Sequence, residues 1–200
     1  MAEENKTAPG AEQEKKLPYE EWFYWLQTLV TAIVCIVLLF TFVCRVTRVV
    51  GDSMDPTLAN GELLLVWHAG YSPEAGDIVI CNTTTEDSFA LLGGEAIVKR
   101  VVATGGQTVD IDYVESIVYV DGEPLDEPYI LEEMFRPGKK SQPLMQETHF
   151  EVPEGSVFLL GDNRNGSSDS RNELLGSVDE DYLLGKAVLV FFPFSKFGLL

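Results

Sequence analysis

Ala96-Ile97-Val98-Lys99-Arg100-Val101-Val102-Ala103 is a β-type run, apolar and rich in β-branched residues, followed by Gly105-Gly106. Side chains alternate across a strand, so Ile97, Lys99 and Val101 share one face and Val98, Arg100 and Val102 the other. Each face therefore carries one charge among residues that favour burial. Lysine is rarely buried unless it is paired or functional. Two readings stay open. Lys99 lies on an edge strand with its ammonium in water, or it is buried and its burial serves chemistry. With an ordinary pKa near 10.4, only roughly one lysine in 2,500 is neutral at pH 7. Burial lowers a lysine pKa by several units, which recovers up to about 4–5 kcal/mol of available base.

Similar short runs recur at 63–67, 77–81, 108–111, 116–120, 149–152, 157–160 and 187–192, with turn residues between them. Asp121-Gly122, after Val118-Tyr119-Val120, is a hairpin turn signal. No helical periodicity longer than two turns stands out after residue 50. The expected fold is mainly β, a compact sheet or partly closed barrel, with polar loops at 82–88 and 131–147. Residues 188–200 are very apolar. Their length, Pro193 and Lys196 exclude a second membrane span. Either a core strand with a docked end or contact with a bilayer surface accounts for them.

From Trp22 to Cys44 there are 23 residues without a charge, opening on Trp22-Phe23-Tyr24-Trp25. As a helix this run covers roughly 34 Å, against about 30 Å of hydrocarbon. The aromatic cluster suits the membrane interface. A cleaved secretory signal fits poorly, because the run is long and no small-x-small site follows before Arg45. The expected organisation is a disordered tail at 1–21, one transmembrane anchor at 22–44 and a folded domain at 45–200. Lys15 and Lys16 on one flank balance Arg45 and Arg48 on the other, so charge leaves the orientation open.

The chain has 32 Asp/Glu and 14 Lys/Arg, a formal net charge of −18. Of these, 26 and 9 fall in residues 51–200. Nucleic-acid binding needs a basic patch, so that acidity argues against it. Cys81 is the only cysteine after Cys44, which excludes a disulfide within the domain and suggests a small core residue. Neither His68 nor His149 has a neighbour at metal-ligand spacing. No metal or other cofactor is expected, and nothing fixes an oligomeric state.

Gly51-Asp52-Ser53-Met54-Asp55-Pro56-Thr57-Leu58 follows the apolar run. Alone it is an ordinary turn, yet Ser53 is the best candidate nucleophile. A serine hydroxyl needs a base to take its proton. His68 and His149 sit at predicted strand ends without supporting residues, which leaves Lys99. Gly161-Asp162-Asn163-Arg164-Asn165-Gly166-Ser167-Ser168-Asp169-Ser170-Arg171 follows the apolar run at 157–160. It is either a polar surface turn or a set of side chains that hold one another around a site.

Together these stretches resemble the bacterial type I signal peptidases, the membrane-anchored Ser/Lys proteases of the leader peptidase family. The resemblance runs from about residue 20 onward. It rests on residues 51–58, Gly76-Asp77-Ile78-Val79, residues 98–106, residues 161–171 and Gly122-Glu123-Pro124-Leu125-Asp126-Glu127-Pro128-Tyr129-Ile130. It implies a serine endopeptidase that removes signal peptides from secreted preproteins, with the amino end cytoplasmic and the peptidase domain extracytoplasmic. Ser53 would be the nucleophile, with its N–H in the oxyanion hole, and Lys99 the base. Ser167 would orient the lysine, Asp169 and Arg171 would form a supporting pair, and Arg100 a structural contact. Met54, Leu58, Ile97 and Val98 are candidates for lining substrate pockets or burying Lys99. The chain departs from many Gram-negative relatives at Gly51, where a serine would add a second oxyanion donor, and looks more like Gram-positive members. A Ser/Lys self-cleaving repressor is the runner-up enzyme class. The anchor and the acidic charge oppose it. A membrane-tethered binding domain is the non-enzymatic alternative.

Overall fold

The structure is a computed structural model that describes residues 18–82, 96–135 and 148–200. The chain divides into two compact units, Met1–Leu39 and Phe40–Leu200. In the first, helix α1 spans Pro18–Phe42 and ends just inside the second. Proline suits a helix start, where its missing N–H costs nothing. The segment Glu21–Phe42 is long and apolar enough to cross a membrane, and none of it is buried. The helix differs from the expected anchor at both ends. Residues 18–21 belong to it rather than to a tail; the rest of the predicted tail lies outside the described residues. Val43 and Cys44 lie beyond its end, because Cys44 pairs with Trp67 as a strand.

The second unit is built of twelve strands among the described residues. In chain order these are β1 (Cys44–Arg48), β2 (Leu63–Trp67), β3 (Ile78–Cys81), β4 (Ile97–Thr104), β5 (Thr108–Asp112) and β6 (Ile117–Val120). There follow β7 (Glu123–Pro124), β8 (His149–Glu151), β9 (Ser156–Leu160), β10 (Val178–Asp179), β11 (Leu183–Phe192) and β12 (Gly198–Leu199). The larger sheet has the order β1-β2-β11-β3-β4-β9-β10, with β12 on β11, and the smaller β7-β6-β5-β8. Every pairing is antiparallel. Register shifts in β11 and β4 mark bulges, which bend a sheet and increase its twist. The Asp121-Gly122 signal holds. Both residues have positive φ, +52° and +81°, as the tight turn joining β6 to β7 requires.

The predicted runs coincide with strands to within a residue or two, except that β11 begins four residues early. β1 and β10 carry no long apolar run of their own, β7 follows the hairpin turn, and β12 is a two-residue strand within the apolar stretch 188–200. Most of the predicted 82–88 loop, and residues 136–147 of the predicted 131–147 loop, lie outside the described residues.

Alternation in β4 sorts the core. Val98 packs with Val49, Met54, Leu58, Leu64 and Ile80, whereas Val101 joins Val79, Cys81, Leu159 and Leu175 on the opposite face. A third cluster, with Val109, Val118, Phe158 and Leu160, joins the two sheets. Cys81 is fully buried, as its apolar neighbours suggested. The edge-strand reading of Lys99 fails: β4 lies between β3 and β9, with Val79 opposite Lys99 and Leu160 opposite Arg100. Lys99 is 3% exposed.

The end of the chain docks in part. β12 pairs with β11 through its backbone, but Phe194, Phe197 and Leu199 are 73%, 58% and 86% exposed. The backbone docks and these side chains do not.

Candidate active site

Ser53 sits in the turn between β1 and β2. Met54 and Leu58 point inward at 1% and 0% exposure, and Leu58 N donates to Met54 O at 2.9 Å. This one-turn coil, fastened by two apolar side chains, leaves Ser53 half-buried at its rim. Asn163 N donates to the Ser53 carbonyl at 3.1 Å, and Asn163 Nδ2 to the Asp52 carbonyl at 3.1 Å. Residues 52 and 53 are therefore held from behind by the loop that follows β9.

Lys99 reaches this turn from mid-strand. Its Nζ donates to Ser53 Oγ at 2.7 Å and to the Val98 carbonyl at 3.1 Å. Burial lowers its pKa from the ordinary value, against the opposing pull of Asp169 and Asp162. The same burial pushes the neighbouring Cys81 thiol up to about 12, so Cys81 stays a neutral wall. A serine hydroxyl against a desolvated amine is what activation by a lysine base requires.

The loop at 161–171 is no surface turn. Asp162, Arg164, Ser167, Asp169, Ser170 and Arg171 are all at most 2% exposed. Arg171 makes a two-pronged pair with Asp169, Nε to Oδ1 at 2.7 Å and Nη2 to Oδ2 at 2.8 Å. Burial alone would raise the Asp169 pKa, but the Arg171 charge and hydrogen bonds, with the Gly161 N–H, hold it below the usual range. Arg100 makes an equivalent pair with Asp162, at 2.9 and 2.7 Å. Its guanidinium lies 3.9 Å over the Tyr129 ring, a favourable cation–π distance. Thr57 Oγ1 also donates to Asp162, which ties the serine turn to the same carboxylate. Gly161 permits the close approach: a Cβ there would meet the Ser53 carbonyl oxygen at 2.5 Å and Ser167 Oγ at 2.3 Å.

The structure thus brings Ser53, Lys99, Arg100, Ser167, Asp169 and Arg171 into one neighbourhood, with two departures. Ser167 Oγ is buried without a well-aligned hydrogen bond among the described residues, and Lys99 directs its bonds elsewhere. Its closest role is to favour ionised Asp169. Met54, Leu58 and Val98 are buried core residues, and Ile97 is partly exposed. His149 pairs with Asp110 on the smaller sheet at 2.7 Å and takes no part. Asp162, Arg164, Glu127 and Tyr129 have no role assigned by the sequence reading. Their polarity was visible, but not their burial or pairing.

A serine peptidase is the class that the comparisons with known proteins define. The family described as signal peptidase, peptidase S26, matches residues 22–192, and the chain belongs to that family. Probable signal peptidase I-1 of Synechocystis sp. is 38% identical over 178 residues, covering 86% of this chain and 83% of that protein. Signal peptidase IB of Staphylococcus aureus is 32% identical over 190 residues, covering 89% and 93%. The crystal structure of a signal peptidase I from Enterococcus faecalis V583 is 26% identical, with a TM-score of 0.44, covering 58% of this chain and 97% of that one.

Proposed function

We propose that this chain removes signal peptides from secreted preproteins through an acyl-enzyme on Ser53, with Lys99 as the base. The 2.7 Å approach of Lys99 Nζ to Ser53 Oγ, in a strand where Lys99 is 3% exposed, carries the reading. Neutral Lys99 takes the Ser53 proton as the oxygen attacks the scissile carbonyl. The developing oxyanion is met by the Ser53 N–H. The lysine ammonium then gives its proton to the leaving amine, which is the new amino end of the mature protein. Lys99 next takes a proton from water, and hydroxide attack on the ester frees the signal peptide and restores Ser53. Asp169, Arg171 and Arg100 hold the frame, and Met54, Leu58, Ile97 and Val98 are the candidates for lining the substrate pockets or burying Lys99. The substrate adds as an extended strand, with small residues first and third before the cut.

Helix α1 anchors the enzyme, with Glu21–Phe42 in and against the bilayer, the amino end cytoplasmic and the strands from β1 onward outside. Anchoring confines enzyme and membrane-tethered preprotein to one layer and raises their effective concentration. The exposed aromatic end at Phe194 and Phe197 suits contact with lipid rather than water.

The test is cleavage of a preprotein carrying an Ala-x-Ala site by detergent-solubilised protein. The parent should cut after that site, and folded Ser53→Ala and Lys99→Met should be inert. Parental activity in both variants would remove these residues from the chemistry and leave the membrane-tethered binding domain.

A further inference from the structure

We infer that Glu127 is a positioning residue for the Ser53–Lys99 pair, acting through Arg164; the inference rests on the reading of that pair given above. Arg164 is 1% exposed and lies in the same loop as Asp162 and Asp169. Its charge needs a partner, since an unpaired buried charge is strongly destabilising. No carboxylate of its own loop supplies one, because Asp162 faces Arg100 and Asp169 faces Arg171. The partner is Glu127, from the segment that leaves β7. Arg164 Nη1 donates to Glu127 Oε2 at 2.9 Å and Nη2 to Glu127 Oε1. The Glu127 side chain is 7% exposed.

That pair anchors backbone that touches the nucleophile. Arg164 Nε donates to the Gly161 carbonyl at 3.1 Å, and the Arg164 carbonyl accepts from Arg171 Nη2 at 2.6 Å. Between these two bonds lies Asn163, whose N–H holds the Ser53 carbonyl. Glu127 therefore fixes the guanidinium, the guanidinium fixes residues 161–164, and these fix Ser53 against Lys99. The same segment grips the loop twice more. Tyr129 covers Arg100, the residue after Lys99, and Leu131 N donates to the Asp162 carbonyl at 3.1 Å. Residues 127, 129 and 131 thus form a strap from the smaller sheet across the back of the site. Glu127 touches neither reacting atom, so its contribution is to geometry, where a displacement of about 1 Å costs on the order of 100-fold in rate.

The experiment measures kcat and KM for the full-length, detergent-solubilised chain on an Ala-x-Ala preprotein. It compares the parent, Glu127→Gln, Glu127→Asp, Arg164→Gln and the Glu127→Gln/Arg164→Gln double variant, with Ser53→Ala as control. Thermal unfolding gives the folded fraction of each. On folded protein, Glu127→Gln should lose roughly 10–100-fold in kcat with KM within about twofold. The double variant should be no slower than the slower single one, as expected when two residues act as a unit. Glu127→Asp, which keeps the charge but shortens its reach, should fold and recover part of the rate. Parental kcat in folded Glu127→Gln would overturn the role. So would rate losses that add in the double variant or that match the unfolded fraction. If Ser53→Ala itself cleaves, the underlying Ser/Lys reading falls first, a result distinct from any Glu127 outcome.

Discussion

Residues 161–171 carry nine polar or charged side chains, and most of that loop lies inside the domain. Residues 188–200 are dominated by Leu, Val and Phe, and much of that segment lies at the surface. Transfer free energies alone would place them the other way round. The loop stays buried because each charge has a partner: Asp162 with Arg100, Arg164 with Glu127, Asp169 with Arg171. Among the described residues Lys99 has no ion-pair partner of its own, and it faces Ser53. A buried lysine without a counter-ion is disfavoured as an ammonium, which is the state a proton acceptor must avoid. The chain end is exposed because its backbone pairing leaves the phenylalanines outward, a costly arrangement in water and a favourable one against lipid. Polarity read along a chain gives the cost of burial; what sits opposite in the fold decides whether the cost is met.

The contrast can be broken most severely at the lysine. Lys99→Met removes the proposed base but keeps an apolar stem, and preprotein cleavage should fall by at least ~10⁴-fold while the protein still folds. Next comes the loop. Asp169→Asn keeps the shape of the side chain but strands Arg171, and chemical unfolding should show a loss of about 3–5 kcal/mol. A loss near zero would mean that the loop is solvated.

A smaller effect has the opposite sign. Because the folded pKa of Lys99 lies below its unfolded value of 10.5, the unfolded chain binds more protons between those two values. Stability should then rise with pH through that window. Lys99→Met removes the unfavourable neutralisation and should stabilise the protein by about 1–2 kcal/mol at pH 7, with a flatter pH dependence. The smallest effect belongs to the chain end. Phe194→Ser with Phe197→Ser should change stability by no more than about 0.5 kcal/mol, yet weaken association with lipid vesicles in a flotation assay.

Much of this architecture was legible before the structure. The strands at 63–67, 96–103 and 157–160 announce themselves by β-branched runs, and the anchor by its uncharged length. β1 and β10 were not, because Arg45, Thr47, Arg48 and Asp179 supply no apolar pattern; long-range pairing alone makes them strands. At the site, Ser53 and Lys99 could be singled out by residue type and the resemblance. Their approach across 46 positions depends on β4 lying beside the serine turn, which no local pattern encodes. The same limit hid Glu127 and Tyr129, whose partners lie 37 and 29 residues away. Nor does one dimension separate Met54, Leu58 and Val98, which are buried, from Ile97, which is partly exposed.

The most direct measurement is the titration of Lys99 itself, by NMR of protein carrying ¹⁵N-lysine, with Lys99→Met used to assign the resonance. A midpoint well below 10.5, with cleavage rising through the same pH range, is the predicted result. A midpoint at the ordinary lysine value, with activity rising at a lower pH, would contradict Lys99 as the base.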